Sequence, residues 1–378
     1  MTAAQTMRDV SMKIISISSY QQNDQLALVR VRTDDGAEGW GQTSAYLADQ
    51  SVPAIHDQLS RYFLGRDPWD LPALVDECVR TDYKFYGTVM FRALCGIETA
   101  IWDLLGKVVE RPVYQLLGGT VRSTIGVYGS SMRRDITPEA EAERLSGLVS
   151  SGRFTDFKIR VGAVMGRDAD AAPGRTAKII KTVREAVGDD VSLRADANGC
   201  YTPAAAIKVG RLLEAYDYYH FEEPCPYPQL ENTAQVAAAL DIAVAGGEQD
   251  QHLEQFHRMI TDRVVDIVQP DIGYIGGILR ARKVALMAEA AGIPCTPHCA
   301  NTSLLQVFTL QLAACSPSVH QPQEWSIEEV DWTKDVFDGL PQVRGGTVEL
   351  GAEPGWGVEI NQDYLARCES RTSSVTAG

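Results

Sequence analysis

Five short stretches of this chain each run through β-forming residues and end on an acid or a histidine. They are Leu193-Arg-Ala-Asp196, Tyr219-His-Phe-Glu222, Val244-Ala-Gly-Gly-Glu248, Ile267-Val-Gln-Pro-Asp271 and Cys295-Thr-Pro-His298. From one terminal residue to the next the intervals are 26, 26, 23 and 27 residues. A strand, a helix and their two loops use about that length of chain, so the repeat predicts a (β/α) barrel. In such barrels the reacting groups converge from the C-terminal ends of successive strands, which is where these five residues fall.

The rest of the chain fits around that unit. Candidate strands are 125–128, 156–161, 191–197, 218–223, 242–246, 265–269, 293–297 and 319–324, with helical periodicity over 175–187, 203–216, 278–291 and 303–315. Residues 12–42 read instead as antiparallel strands joined through the turn Thr33-Asp-Asp-Gly36, and helical periodicity runs from Val52 to about Leu117. Strands followed by helices predict a separate α+β domain. The expected division is 1–122 for that domain, 123–330 for the barrel and 331–378 for a segment returning to the first domain, with Gly345–Leu350 as a returning strand. The 378 residues match one barrel of roughly 250 plus a smaller partner. Residues 162–175 read as an enlarged loop over the barrel mouth, and the tail from Ser370 as frayed.

A net charge of −15 argues against nucleic acid as a partner, since phosphate binding needs a basic face. No apolar run reaches the about 18 residues that would cross a membrane, and Met1–Val10 lacks the apolar centre of a signal peptide. The eight cysteines contain no Cys-x-x-Cys pair, and although Cys295 and Cys299 flank His298 they read as thiols of a reduced cytoplasmic protein.

Any one of Asp196, Glu222 and Glu248 would be an ordinary strand-end acceptor. Together on consecutive strands they repel one another unless a cation lies among them. Three carboxylates supply half of an octahedral oxygen shell and leave positions for water and a substrate carboxylate, which suits Mg²⁺, with Mn²⁺ as a substitute. Asp271 and His298 follow on the next two strands, where a carboxylate at one imidazole nitrogen fixes the tautomer and raises the basicity of the other. On the second strand Lys158 and Arg160 share a face by the period of two, and if that face is the barrel interior both cations point at the acids. Burial alone would lower the pKa of Lys158 and make it a second acid–base group.

Asp196-Ala-Asn198, Phe221-Glu-Glu-Pro224, Gly247-Glu248, Gln269-Pro-Asp271 and Pro297-His298 closely resemble the mandelate racemase-like branch of the enolase superfamily. The resemblance extends to Asp35-Gly-Ala-Glu-Gly-Trp-Gly41, Gly96–Lys107 and Pro354–Ile360, and covers about residues 12 to 365. It implies a (β/α)7β modified TIM barrel capped by an α+β domain built from both chain ends. It also implies Mg²⁺ at Asp196, Glu222 and Glu248, removal of a proton α to a carboxylate, and an enediolate stabilised by the metal. By the same resemblance Glu324 would bond the substrate carboxylate, Asn198 would meet a substrate hydroxyl, and the protein would be a homo-oligomer.

Where the family's second strand commonly ends Lys-x-Lys, this chain has Arg160. Arginine stays protonated and makes a poor base, so a two-base proton transfer loses one partner. The expectation is an acid-sugar dehydratase in which His298 takes the α-proton and protonates the leaving β-hydroxyl. Epimerase or lactone cycloisomerase is the alternative, and a ligand-binding relative without turnover the third. Selectivity is expected in loops 18–24, 43–50 and 162–175, with Tyr20, Tyr46 and Trp325 as candidate substrate contacts.

Overall fold

The computed structural model of the chain describes residues 12–375. The reading of Met1–Val10 therefore lies outside the described residues. Ahead of the barrel, β1 (Ile14–Asn23), β2 (Leu26–Thr33) and β3 (Glu38–Gln42) form an antiparallel meander. The segment expected to be a loop at 18–24 is the second half of β1, with only a tight turn at Asp24-Gln25 before β2. Its partners on β2, such as Leu28 opposite Tyr20, supply a ladder that extends the strand through this polar stretch.

Helix Thr88–Val108 lies against β3 and is buried along most of its length. The Gly39-Trp40-Gly41 pattern explains how closely. A Cβ on Gly39 would stand 2.2 Å from the Leu104 nitrogen, and one on Gly41 2.4 Å from the Ala100 nitrogen. Both glycines face the helix because strand side chains alternate, and only glycine lets the two backbones approach this far.

The barrel is a parallel sheet of β4 (Thr124–Ser130), β5 (Asp156–Arg160), β6 (Ser192–Asp196), β7 (His220–Glu222), β8 (Ala243–Gly246) and β9 (Ile267–Val268), each pairing with the next. Cys295 and His298 continue it by single bridges to Val268 and Asp271. β10 (Gln323–Ser326) returns to pair with β4, and the Cys295 N–H donates to the Ser318 carbonyl at 3.0 Å to link the last two segments. This is a modified TIM barrel with an α+β cap. Along β5 the apolar Phe157 and Ile159 pack into the surrounding core, while Lys158 and Arg160 turn to the interior.

Past the barrel, β11 (Phe337–Asp338), β12 (Thr347–Glu349), β13 (Glu359–Ile360) and β14 (Glu369–Ser374) go to different places. β11 and β13 pair with each other. β12, expected to return to the first domain, instead pairs antiparallel with β4 at the start of the barrel. The return to the cap is made by Trp356, whose backbone N–H donates to Asp103 on the cap helix at 2.9 Å, and by β14, which pairs with β1. The tail expected to fray is thus a strand as far as Ser374, because the outer edge of β1 offers it a full ladder. No helix among the described residues is long and apolar enough to cross a membrane, and all eight cysteines are free thiols, seven of them buried.

Candidate active site

Asp196 ends β6, Glu222 ends β7, and Glu248 follows β8 by two residues. The three are 0%, 0% and 4% exposed, and each offers a carboxylate oxygen within 4.8 Å of the others. Glu248 Oε2 is buried and has no hydrogen-bond partner. A buried, unpaired carboxylate oxygen is costly to leave alone, so the donor set fits a hard divalent cation. Gln269 donates to Glu222 Oε2 at 2.8 Å and orients it.

Lys158 Nζ sits at the base of this cluster. It bonds Glu222 Oε1, lies 2.8 Å from Glu324 Oε1 and stands 3.8 Å from Asp196 Oδ2. Burial opposes its charge, but Glu222 and Glu324 outweigh burial and raise its pKa above the usual value. The lowering expected from burial alone is reversed, because the lysine is surrounded by acids. Burial likewise opposes ionisation of Glu222 and Glu324, and Lys158 nonetheless holds Glu222 well below the usual range and Glu324 at about 2. Arg160 pairs with Asp196 Oδ2 and donates from Nε to the Ser131 carbonyl at 2.9 Å.

On the other flank His298 Nδ1 and Asp271 Oδ2 are 2.7 Å apart. The second oxygen of Asp271 caps helix Ile272–Ile275 by accepting from the Tyr274 N–H at 2.9 Å, which fixes the carboxylate toward the imidazole. His298 Nε2 faces the cluster, 3.4 Å from Glu248 Oε2 and 3.7 Å from Glu324 Oε2. Burial would lower the pKa of His298, but the charges of Glu248 and Glu324 and the bond to Asp271 raise it to about 10. Glu324 also accepts from Ser130 Oγ at 2.7 Å and from the Cys299 N–H at 3.1 Å. Glu223, beside the triad and only 6% exposed, is pushed well above the carboxylate range by burial and by the charges of Glu248 and Glu222.

The structure therefore brings Asp196, Glu222, Glu248, Lys158, Arg160, Asp271, His298, Asn198 and Glu324 to one site. Tyr20 and Trp325 lie elsewhere, with no hydrogen bond to it among the described residues. Tyr20 packs against Trp40 with ring centroids 5.3 Å apart and the planes tilted by 45°, within the cap sheet. Trp325 follows Glu324 on β10 and so faces the opposite way by alternation, lining a cavity of about 490 Å³ with Gln306 and Val307. Tyr46 is 51% exposed and meets Trp332 edge-on.

Several site residues had no role in the sequence reading. Gln269 shares a face with Asp271 two positions on, so the period of two already signalled it. Arg134 follows β4 and donates to the Gly162 carbonyl and to Asn198, and only its place just past a barrel strand marked it. Arg92 of the cap helix reaches across to Tyr274, 3.8 Å above its ring, and donates to the Ala45 carbonyl at 2.9 Å. Nothing local in the sequence links residues so far apart.

Known proteins are similar to this chain in sequence and fold. Residues 2–118 match the N-terminal domain model of mandelate racemase / muconate lactonizing enzyme, and residues 140–364 the enolase C-terminal domain-like model. D-galactonate dehydratase of Ralstonia pickettii is 30% identical over 367 residues, covering 93% of each chain. Arabinonate dehydratase of Saccharolobus solfataricus is 29% identical, covering 92% of this chain and 91% of that one. A crystal structure from Roseobacter denitrificans, described as a racemase candidate, superposes with a TM-score of 0.93 at 48% identity, covering 96% of this chain and all of that one. A mandelate racemase/muconate lactonizing protein from Paracoccus denitrificans, solved with magnesium, has a TM-score of 0.87 at 28% identity, over 97% of this chain and 100% of that one.

Proposed function

This chain belongs to the mandelate racemase/muconate lactonizing enzyme family of the enolase superfamily, and from that footing we propose that it is a Mg²⁺-dependent acid-sugar dehydratase. Its substrate is a polyhydroxy monoacid or diacid and its product a 2-keto-3-deoxy acid. One observation supports this over its relatives' other reactions: the His298–Asp271 pair is aimed at the triad from one side, and a cation held there would offset the carboxylate charges that raise the imidazole's pKa. His298 Nε2 faces the carboxylates while Nδ1 is held by Asp271. The two cations of β5 are both engaged, Lys158 with Glu222 and Glu324 and Arg160 with Asp196.

Asp196, Glu222 and Glu248 would hold the cation, which supplies Lewis acidity toward the substrate carboxylate. His298 Nε2 takes the α-proton, and the electron pair of that C–H bond forms the Cα–Cβ double bond. The Cβ–O bond breaks with its own pair, the proton on Nε2 passes to the departing hydroxyl, and water leaves. Tautomerisation of the resulting enol gives the keto acid. Asp271 keeps the imidazole oriented through both transfers, and Lys158 and Glu324 hold a charge-balanced floor beneath the substrate carboxylate. The named dehydratases among the relatives favour this class.

The racemase description of the Roseobacter denitrificans protein favours a second reading, in which the proton returns to Cα or a lactone opens. Incubation with Mg²⁺ and a panel of aldonic and aldaric acids, with 2-keto acids assayed and solvent deuterium followed at Cα, separates the two. Dehydration predicts keto acid from at least one member. Deuterium at Cα without loss of water on every acid that reacts would sink it in favour of isomerisation. Ligand-dependent thermal stabilisation with neither exchange nor product would point to a binding protein.

A further inference from the structure

Asn198, two residues after Asp196, turns its hydrogen-bonding groups inward. Its backbone N–H donates to Asp196 Oδ1 at 2.7 Å, and its amide Nδ2 to Asp196 Oδ2 at 3.2 Å. Its side-chain oxygen accepts from two guanidiniums, Arg134 at 2.8 Å and Arg160 at 3.1 Å. An amide oxygen has two lone pairs, so both are taken. The alternative amide rotamer would put NH₂ against two cations and an oxygen against a carboxylate, so the environment admits one orientation. The backbone stands at φ +41°, in the left-handed region that asparagine tolerates best among side-chain-bearing residues. Its carbonyl accepts from the Met165 N–H at 3.0 Å, which ties the loop after β5 to the same residue. Arg134 is itself anchored, its Nε donating to the Gly162 carbonyl at 2.9 Å.

We propose that Arg134 and Asn198 act as one positioning unit: Arg134 fixes the Asn198 amide, and that amide orients Asp196 Oδ2 for the cation while the Asn198 backbone N–H holds Oδ1. On this assignment Asn198 serves the carboxylate and not a substrate hydroxyl, the role its resemblance implied. Groups that orient a metal ligand typically account for about 10–100-fold of metal affinity. The inference rests on the cation reading of the triad.

Mn²⁺ binding to chelator-treated protein, read from the electron paramagnetic resonance of the free ion, tests both and keeps them apart. Asn198→Gly removes the amide while accepting the positive φ, and Arg134→Met removes the guanidinium from the opposite side of the contact. Each is expected to weaken Mn²⁺ by about tenfold or more, within the range of such orienting groups. The double variant is expected to bind no more weakly than Asn198→Gly alone, because Arg134 acts through the amide. Wild-type protein that binds no Mn²⁺ overturns the cation reading itself. Wild-type binding with unchanged affinity in whichever single variant folds overturns the positioning unit. So does a double variant whose loss is the product of the single losses, since that makes the two residues independent.

Discussion

His298 carries two contacts of different kinds, and they predict different losses. Its Nδ1 partner Asp271 sets orientation, while Nε2 faces Glu248 and Glu324. His298→Asn is expected to lower exchange of the substrate α-proton by about 10²–10⁴-fold, the usual worth of a general base, with Mn²⁺ affinity retained. Asp271→Asn is expected to lose less, since the imidazole remains. Arg160→Lys adds a side chain able to lose its proton on β5. If exchange survives His298→Asn but disappears in Lys158→Ala, the base has been misassigned. At this scale the acids and the histidine were legible because each ends a strand at a fixed interval. Arg134, Tyr274 and Arg92 were not, because their meaning comes from side chains brought together from separate elements. The direction of the Lys158 shift was hidden because strand alternation aimed the lysine at the acids without saying that Glu222 and Glu324 would both lie in direct contact with it.

β14 shows how an element can be present in the sequence yet unreadable there. Glu369–Ser374 is a polar run with no apolar alternation, and it becomes a strand only because the edge of β1 receives it. Its attachment includes a buried imidazole. His56 places its ring nitrogens 2.8 Å from Ser19 Oγ and 2.9 Å from Ser373 Oγ, one as donor and the other as acceptor. Burial first, and then the charge of Arg371, lower its pKa from 6.5 to about 4. The folded form therefore keeps His56 neutral in a range where the unfolded chain protonates it. Its contribution is intact above pH 6.5 and is lost as the pH falls toward 4, because unfolding takes up a proton there. His56→Gln should reduce the fall in melting temperature between those two pH values relative to wild type. An unchanged slope would mean that the ring is already protonated or exposed. The cap helix is the opposite case: its apolar periodicity over residues 91–107 was plain, and the Gly39/Gly41 pair that receives it was plain as glycine but not as a contact.

For the whole molecule, the cation site joins β6, β7 and the turn after β8, so its occupancy should be felt as global stability. Adding Mg²⁺ to chelator-treated protein is expected to raise the melting temperature, by the equivalent of about 2.7 kcal/mol at a hundredfold excess over the dissociation constant. Glu222→Gln should abolish most of that rise in calorimetry, and a wild-type protein indifferent to Mg²⁺ would remove the basis of the proposed chemistry. The barrel, its α+β partner and the order of the carboxylates and histidine around the mouth are legible from the chain alone. They are so because they follow from local rules: strand alternation, helix periodicity and the length of a β–α unit. Tertiary structure alone decided that β12 lies under β4 rather than in the cap, that Trp325 faces a separate cavity, that Lys158 stays charged among acids and that Asn198 is held by two arginines. Each of these depends on which surface or charge meets which across the fold, and that pairing has no spacing along the chain to announce it.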